Sequence, residues 1–177
     1  MTEPPFEARF DHVAMAVPRI VDALPLYRDL LGGEFYTGGD NPRLGYRGIQ
    51  LEYAGGKMEI LEPLPGSDFL DSFFAKRPQG GLHHVTYIVP SLKKALAASE
   101  EAGFTVHGEY TGDARWLEVF VHPRQANGVL LQLAQIGPGY GRDPFPLEAA
   151  LSGHGNHGSG KVSPGYTGPH IHPSQHA

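Results

Sequence analysis

Apolar and polar positions alternate in two short stretches, and each stretch opens a longer segment with the same sequence of signals. In the first, Val13, Met15 and Val17 share one side of an extended chain; in the second, Val85, Tyr87 and Val89 do so. This alternation and the β-branched content predict half-buried strands. Proline ends both, at Pro18 and Pro90. Helical periodicity then takes over, over Ile20–Leu31 and Leu92–Ala102, and a glycine follows each helix (Gly32, Gly103), where a left-handed C-terminal cap is favoured. Further strands are predicted over Glu34–Thr37, Gly48–Tyr53 and Lys57–Leu61 in the first segment. Their counterparts are Thr105–Glu109, Trp116–His122 and Val129–Ala134. The connecting turns are Ala54-Gly55-Gly56 and Arg124–Gly128, the latter carrying the strong turn dipeptide Asn127-Gly128.

The two segments are a repeat. FDHVAMAVPRIVDALPLYRDLLGGEF (10–35) aligns with LHHVTYIVPSLKKALAASEEAGFTV (82–106), matching His12 to His84, Val13 to Val85, Val17-Pro18 to Val89-Pro90 and Ala23 to Ala95 at one constant offset. An internal repeat sets the architecture before any local reading. Each half is βαβββ, so the expected class is α+β: two βαβββ repeats forming a curved eight-stranded mixed sheet around a metal-binding cleft. The domain is expected over residues 8–136, with repeat one at 8–63 and repeat two at 80–136. From Gly137 onward Gly, Pro, Ser and His dominate. Residues 137–177 read as a Gly/Pro/His-rich C-terminal tail, partly flexible, with at most one short helix over Pro144–Leu151. Truncation after about Leu151 is expected to leave folding intact.

Strand parity picks out the chemistry. If Val13, Met15 and Val17 pack on the helix, His12, Ala14 and Ala16 face the other way, as do His84, Thr86 and Ile88. The final strand of each half carries one polar residue among apolar ones, Glu59 in KMEIL and Gln132 in VLLQL. A lone strand histidine is more often a hydrogen-bonded core residue than a ligand. The repeat changes this by placing a His and an oxygen donor at the same points in both halves. His12, Glu59, His84 and Gln132 are therefore expected to hold one divalent metal ion (Co, Ni, Mn, Fe or Zn), with positions left for substrate oxygens. His83 has the opposite parity and is not expected to be a ligand. Parity also directs Gln50 and Glu52, and Glu118, Phe120 and His122, to the same face. Glu118 is the first candidate for a general base and Glu52 the second; a solvated rim carboxylate is the bland alternative for each.

Composition narrows the classes. The 177 residues contain no cysteine, which removes disulfides and thiolate metal sites. The net charge of −5 with no basic run speaks against nucleic acid as a partner. No window approaches the ~20 apolar residues of a membrane span, and the N-terminus lacks a secretory pattern. A cytoplasmic location, no membrane partner and a homodimer are the expectations. Five of the ten histidines (His154, His157, His170, His172, His176) lie in the tail without regular spacing, which suits adventitious metal binding; a substrate lid is the alternative.

The segments FDHVAMAV, LYRDLLGGEF, KMEILEPL, GGLHHVTYIV and FVHPRQANGVLLQL resemble the vicinal-oxygen-chelate (glyoxalase/bleomycin-resistance/dioxygenase) superfamily. Within it the nearest resemblance is to the methylmalonyl-CoA epimerases, and more distantly to glyoxalase I. The resemblance covers about Phe10 to Gln135. It implies that His12, Glu59 and His84 are metal ligands, and that the fourth ligand position, normally Glu, is Gln132 here. It also implies a catalytic Glu in a Pro-Glu-x-Gly segment, where this chain has Pro42-Arg43-Leu44-Gly45. The implied activity is that of a metal-dependent isomerase or lyase, acting by enolate stabilisation on a small carbonyl or acyl-thioester substrate, without the usual catalytic carboxylates. An Fe(II)-dependent dioxygenase and a non-catalytic small-ligand-binding protein of the same fold remain open.

Overall fold

In the computed structural model, residues 3–153 are described, and the strand order is β2-β3-β4-β1-β5-β8-β7-β6. The strands are β1 (Arg9–Ala16), β2 (Glu34–Asn41), β3 (Tyr46–Tyr53), β4 (Gly56–Pro63), β5 (Gly81–Ile88), β6 (Val106–Asp113), β7 (Trp116–Val121) and β8 (Leu131–Ile136). The helices are α1 (Ile20–Leu24), α2 (Asp71–Lys76), α3 (Leu92–Glu101) and α4 (Leu147–Leu151). The α+β class with two βαβββ repeats and a mixed eight-stranded sheet is thus present. Two compact units can be distinguished: residues 12–83 with 141–153, and residues 3–11 with 84–140.

In the unit holding the first repeat, β2, β3 and β4 are antiparallel neighbours, and β4 runs parallel to β1 with Ala14 opposite Glu59. One face carries Ile49, Leu51 and Ile60, which with Val17, Ile20 and Leu24 form a buried core. The other face is lined by His12, Gln50 and Glu59, all buried. On that side Leu61 and Ala16 pack with Leu70 and Phe73 of the α2 region, which the sequence pattern does not reveal. The part of that face at Ala16 and Leu61 is therefore covered by the α2 region.

The second repeat has the same plan. β6, β7 and β8 are antiparallel neighbours, and β8 runs parallel to β5 with Thr86 opposite Gln132. Val89, Leu92, Ala95, Val119 and Leu133 form its core under α3. Because Ala14 and Thr86 are repeat-related, Glu59 and Gln132 occupy equivalent register positions, as parity required.

Glycine ends both helical segments with positive φ, 73° at Gly32 and 83° at Gly103. The first segment is not one α-helix, however. It passes from α1 into a π-helical stretch, Pro25–Leu30, and the Leu31 amide bonds the Leu26 carbonyl at 3.0 Å. Pro25 has no amide to donate to the preceding turn, so the regular ladder is interrupted and the wider register follows. β2 and β6 also run several residues longer than expected, to Asn41 and Asp113. Both helices are tied at their first turn by the strand that closes the repeat. Glu62 accepts the Ile20 amide at 2.6 Å, and Gln135 accepts the Leu92 amide at 2.8 Å. These donors lack partners within the helix, so the side chains satisfy otherwise orphaned groups.

Among the described residues the last strand ends at Ile136, where the sequence changes character, and the segment after Gly141 packs back on the first repeat. Asp143 accepts the Thr37 hydroxyl at 2.6 Å and the Gly38 amide at 3.0 Å, while Leu147 and Ala150 enter the core of that unit. The Arg47 guanidinium donates to the Leu151 carbonyl at 2.5 Å. The tail histidines lie outside the described residues.

Candidate metal centre

One ring nitrogen each from His12 and His84 and one carboxylate oxygen of Glu59 lie within 4.8 Å of one another, and all three side chains are buried. His12 is near the middle of β1, Glu59 near the middle of β4, and His84 near the middle of β5. The parallel β1–β4 register and β-strand alternation put His12 and Glu59 on the same face. His12 Nε2 and Glu59 Oε2 are 3.5 Å apart. Two imidazoles and a carboxylate, without thiolate, form a donor set suited to a divalent transition metal. Three buried donor atoms of this chemistry converging within 4.8 Å fit such an ion.

Gln132 is also buried, on β8, and its carboxamide is held at both ends. The Thr86 hydroxyl donates to its oxygen at 2.5 Å, and its nitrogen donates to Glu118 Oε2 at 2.7 Å. The same Glu118 oxygen accepts the Trp116 indole N–H at 2.6 Å. Thr86 lies two residues beyond His84 on β5 and so shares its face. The His84 ring meets Phe120 edge-on, with centroids 6.1 Å apart. The second repeat thus presents Thr86, Gln132, Glu118 and Trp116 as one hydrogen-bonded set, with His84 two residues from Thr86 on β5.

Glu52, the second candidate base, has a different setting. Its carboxylate pairs with the Arg142 guanidinium, and its side chain is 43% exposed. Arg142 also lies over the Tyr36 ring, as does Lys57, whose ammonium sits 4.6 Å from the ring centroid. Arg43 lies in the hairpin loop joining β2 to β3, closed by the Gly45 amide on the Asn41 carbonyl at 2.8 Å. His83 packs against Phe73, with centroids 5.3 Å apart, and is not in the triad. Sequence reasoning gave Trp116 no role, and Thr86 only a place on the inner face. Both were accessible to strand parity, since Trp116 precedes Glu118 by two residues and Thr86 follows His84 by two.

The sequence signature of the Glyoxalase/Bleomycin resistance protein/Dioxygenase superfamily matches residues 11–120. An ethylmalonyl-CoA/methylmalonyl-CoA epimerase of Cereibacter sphaeroides is 37% identical over 131 residues, covering 72% of this chain and 98% of that protein. The mitochondrial methylmalonyl-CoA epimerase of Mus musculus is 32% identical over 136 residues, covering 72% of each chain. Among solved structures, methylmalonyl-CoA epimerase from Mycobacterium tuberculosis superposes with a TM-score of 0.67 at 25% identity, covering 78% of this chain and 93% of that one.

Proposed function

Because the chain belongs to the glyoxalase/bleomycin resistance/dioxygenase superfamily and is related to methylmalonyl-CoA epimerases, we propose that it is a metal-dependent isomerase of an acyl-thioester substrate. The reaction removes and returns a proton on the carbon beside the thioester carbonyl. The observation that carries this reading is the buried group of His12, Glu59 and His84.

His12, Glu59 and His84 would hold the ion, and the Gln132 carboxamide oxygen is the fourth donor of this proposal. A bound divalent ion supplies Lewis-acid stabilisation of the negative charge that develops on the carbonyl oxygen as the proton leaves. Glu118 is the group proposed to handle that proton. Its Oε2 accepts the Trp116 and Gln132 donors, which hold the carboxylate in one orientation for taking the proton from one face of that carbon; isomerisation follows when a proton is returned from solvent to the opposite face. Glu52 is the less favoured base because Arg142 engages its carboxylate. Thr86 and Gln132 keep the polar face organised around the reacting carbonyl.

The test is deuterium wash-in. Protein loaded with Co²⁺ is incubated in D₂O with methylmalonyl-CoA and with ethylmalonyl-CoA, and incorporation is followed by mass spectrometry. Exchange that depends on both metal and Glu118 supports the proposal. Absence of exchange on either thioester, in protein with full metal content, rules it out.

A second reading has one specific observation in its favour. Two histidines and one carboxylate are also the ligand set of Fe(II) oxygenases. Anaerobic loading with Fe²⁺ followed by oxygen-uptake measurements with catecholic substrates tests it, and uptake no faster than with free Fe²⁺ removes it.

A further inference from the structure

We infer that Glu118 and Gln132 are an exchanged carboxylate–carboxamide pair, in which Glu118 fixes the Gln132 side chain as an oxygen donor to the metal centre. The inference rests on the metal-centre reading above and assigns Glu118 a positioning role in addition to its proposed handling of the proton.

The repeat supplies the comparison within this one chain. Ala14 opposite Glu59 and Thr86 opposite Gln132 are the same register position in the two halves. The first half therefore has a carboxylate where the second has a carboxamide. On the neighbouring strand the second half carries a carboxylate where the first has no side chain. Gly48 lies opposite Leu61, two residues beyond Glu59, and Glu118 lies opposite Ala134, two residues beyond Gln132. Gly48 has no side chain beside Glu59; a Cβ built there would stand 3.6 Å from Glu59 Oε1. In the second half that place is filled by Glu118, and its carboxylate reaches Gln132 at 2.7 Å. The negative charge has moved one strand outward and stays hydrogen-bonded to the residue that replaced it.

The direction of the carboxamide follows from donor and acceptor chemistry. An ionised carboxylate only accepts, so the amide end facing Glu118 must be its NH₂. The oxygen is thereby turned to the other side, where the Thr86 hydroxyl donates to it at 2.5 Å. Thr86 shares the face of His84. A metal ion takes the oxygen of a carboxamide and not its NH₂. Without Glu118 the amide could turn about its last bond and offer the wrong end. Partners that orient metal ligands in this way typically contribute a factor of about 10–100 in metal affinity.

The experiment is Co²⁺ titration of the full chain, followed by visible absorption and by equilibrium affinity, in four proteins: wild type, Glu118→Ala, Gln132→Glu, and the double exchange Glu118→Gln with Gln132→Glu. Glu118→Ala is expected to weaken Co²⁺ binding about 10–100-fold and to change the absorption spectrum. Gln132→Glu alone sets two carboxylates face to face and is expected to lower the thermal midpoint of the metal-free protein. The double exchange restores an amide–carboxylate pair with its direction reversed. It should recover that midpoint and bind Co²⁺ at least as tightly as wild type. Glu118→Ala with wild-type affinity and spectrum overturns the inference and leaves the metal centre standing. If Glu118→Ala does not fold, a double exchange that binds Co²⁺ tenfold or more weaker than wild type overturns it instead. Wild-type protein that binds no Co²⁺ overturns the metal-centre reading itself, and the inference with it.

Discussion

His12 Nε2 lies 3.5 Å from Glu59 Oε2, with both side chains buried. Two strands that are parallel neighbours hold this pair, so the backbone sets both side chains on one face of the sheet. Removing one imidazole from the triad should therefore leave a site too poor in donors to retain an ion. In protein ended after Gly153, which removes the five tail histidines, His12→Ala or His84→Ala is expected to abolish stoichiometric divalent metal. Elemental analysis after gel filtration reads this. Metal content equal to that of the unaltered shortened chain would disprove the site.

The strand-to-helix ties give a prediction about stability. Gln135→Ala removes the acceptor of the Leu92 amide and should cost about 1 kcal/mol, the usual value for a lost helix N-terminal cap. Glu62→Ala should cost more. Its carboxylate serves the Ile20 amide and also pairs with Arg47 at 3.3 Å, and a charged acceptor is favoured at a helix N-terminus. Urea denaturation of both variants checks the order, and equal losses would show that the Arg47 contact adds nothing.

These ties also mark the limit of what the sequence discloses. The repeat and strand parity made the eight strands legible, along with the same-face placement of His12, Glu59, His84 and Gln132, because alternation is a property of neighbouring residues. Glu62 and Gln135 were not legible. Their partners are 42 and 43 positions away, and nothing local separates a capping Glu from a solvated one. Helix α2 was missed because its apolar residues, Phe73 among them, fall in a stretch too short to show a period. The π-helical stretch needed recognition that Pro25 interrupts an otherwise regular pattern. The docking of residues 141–153 uses Asp143 and Arg47, polar residues whose partners are distant in sequence.

Tyr53 gives a prediction about pH. Its hydroxyl donates to the Tyr27 carbonyl at 2.7 Å, in space that a side chain at Gly33 would fill, and burial raises its pKa above the ordinary tyrosine value of 10.0. Below about pH 10 the phenol is neutral in both folded and unfolded chains, and its contribution is fully present. As the pH rises through the unfolded value and then the higher folded value, the unfolded chain ionises first and that contribution is lost. Tyr53→Phe should cost about 0.5–1.5 kcal/mol at neutral pH and make stability fall less steeply above pH 10. Denaturation midpoints measured from pH 7 to 11 test this; parallel curves for the two proteins would contradict it.

The last prediction concerns the proton. Where the resemblance to epimerases calls for a glutamate, this chain has Arg43, and a guanidinium has no lone pair to act as a base. The carboxylate that remains near the polar face of the second repeat is Glu118, held by Trp116 and Gln132. A general base typically supplies about 10²–10⁴ in rate. Glu118→Gln should therefore reduce thioester exchange by that order at saturating substrate, while Glu52→Gln, with its carboxylate engaged by Arg142, should have little effect. Arg43→Glu returns a carboxylate to the β2–β3 loop and should raise epimerisation of methylmalonyl-CoA, which is expected to be weak in the native chain. Adding Gln132→Glu to it should bring no further gain unless Glu118 is exchanged too, because the new carboxylate would face Glu118. Deuterium incorporation at the carbon beside the thioester measures all of these variants. If the native chain epimerises methylmalonyl-CoA at rates normal for such enzymes, and neither Glu118→Gln nor Glu118→Ala slows it, Glu118 is not the base and the proton passes through another group.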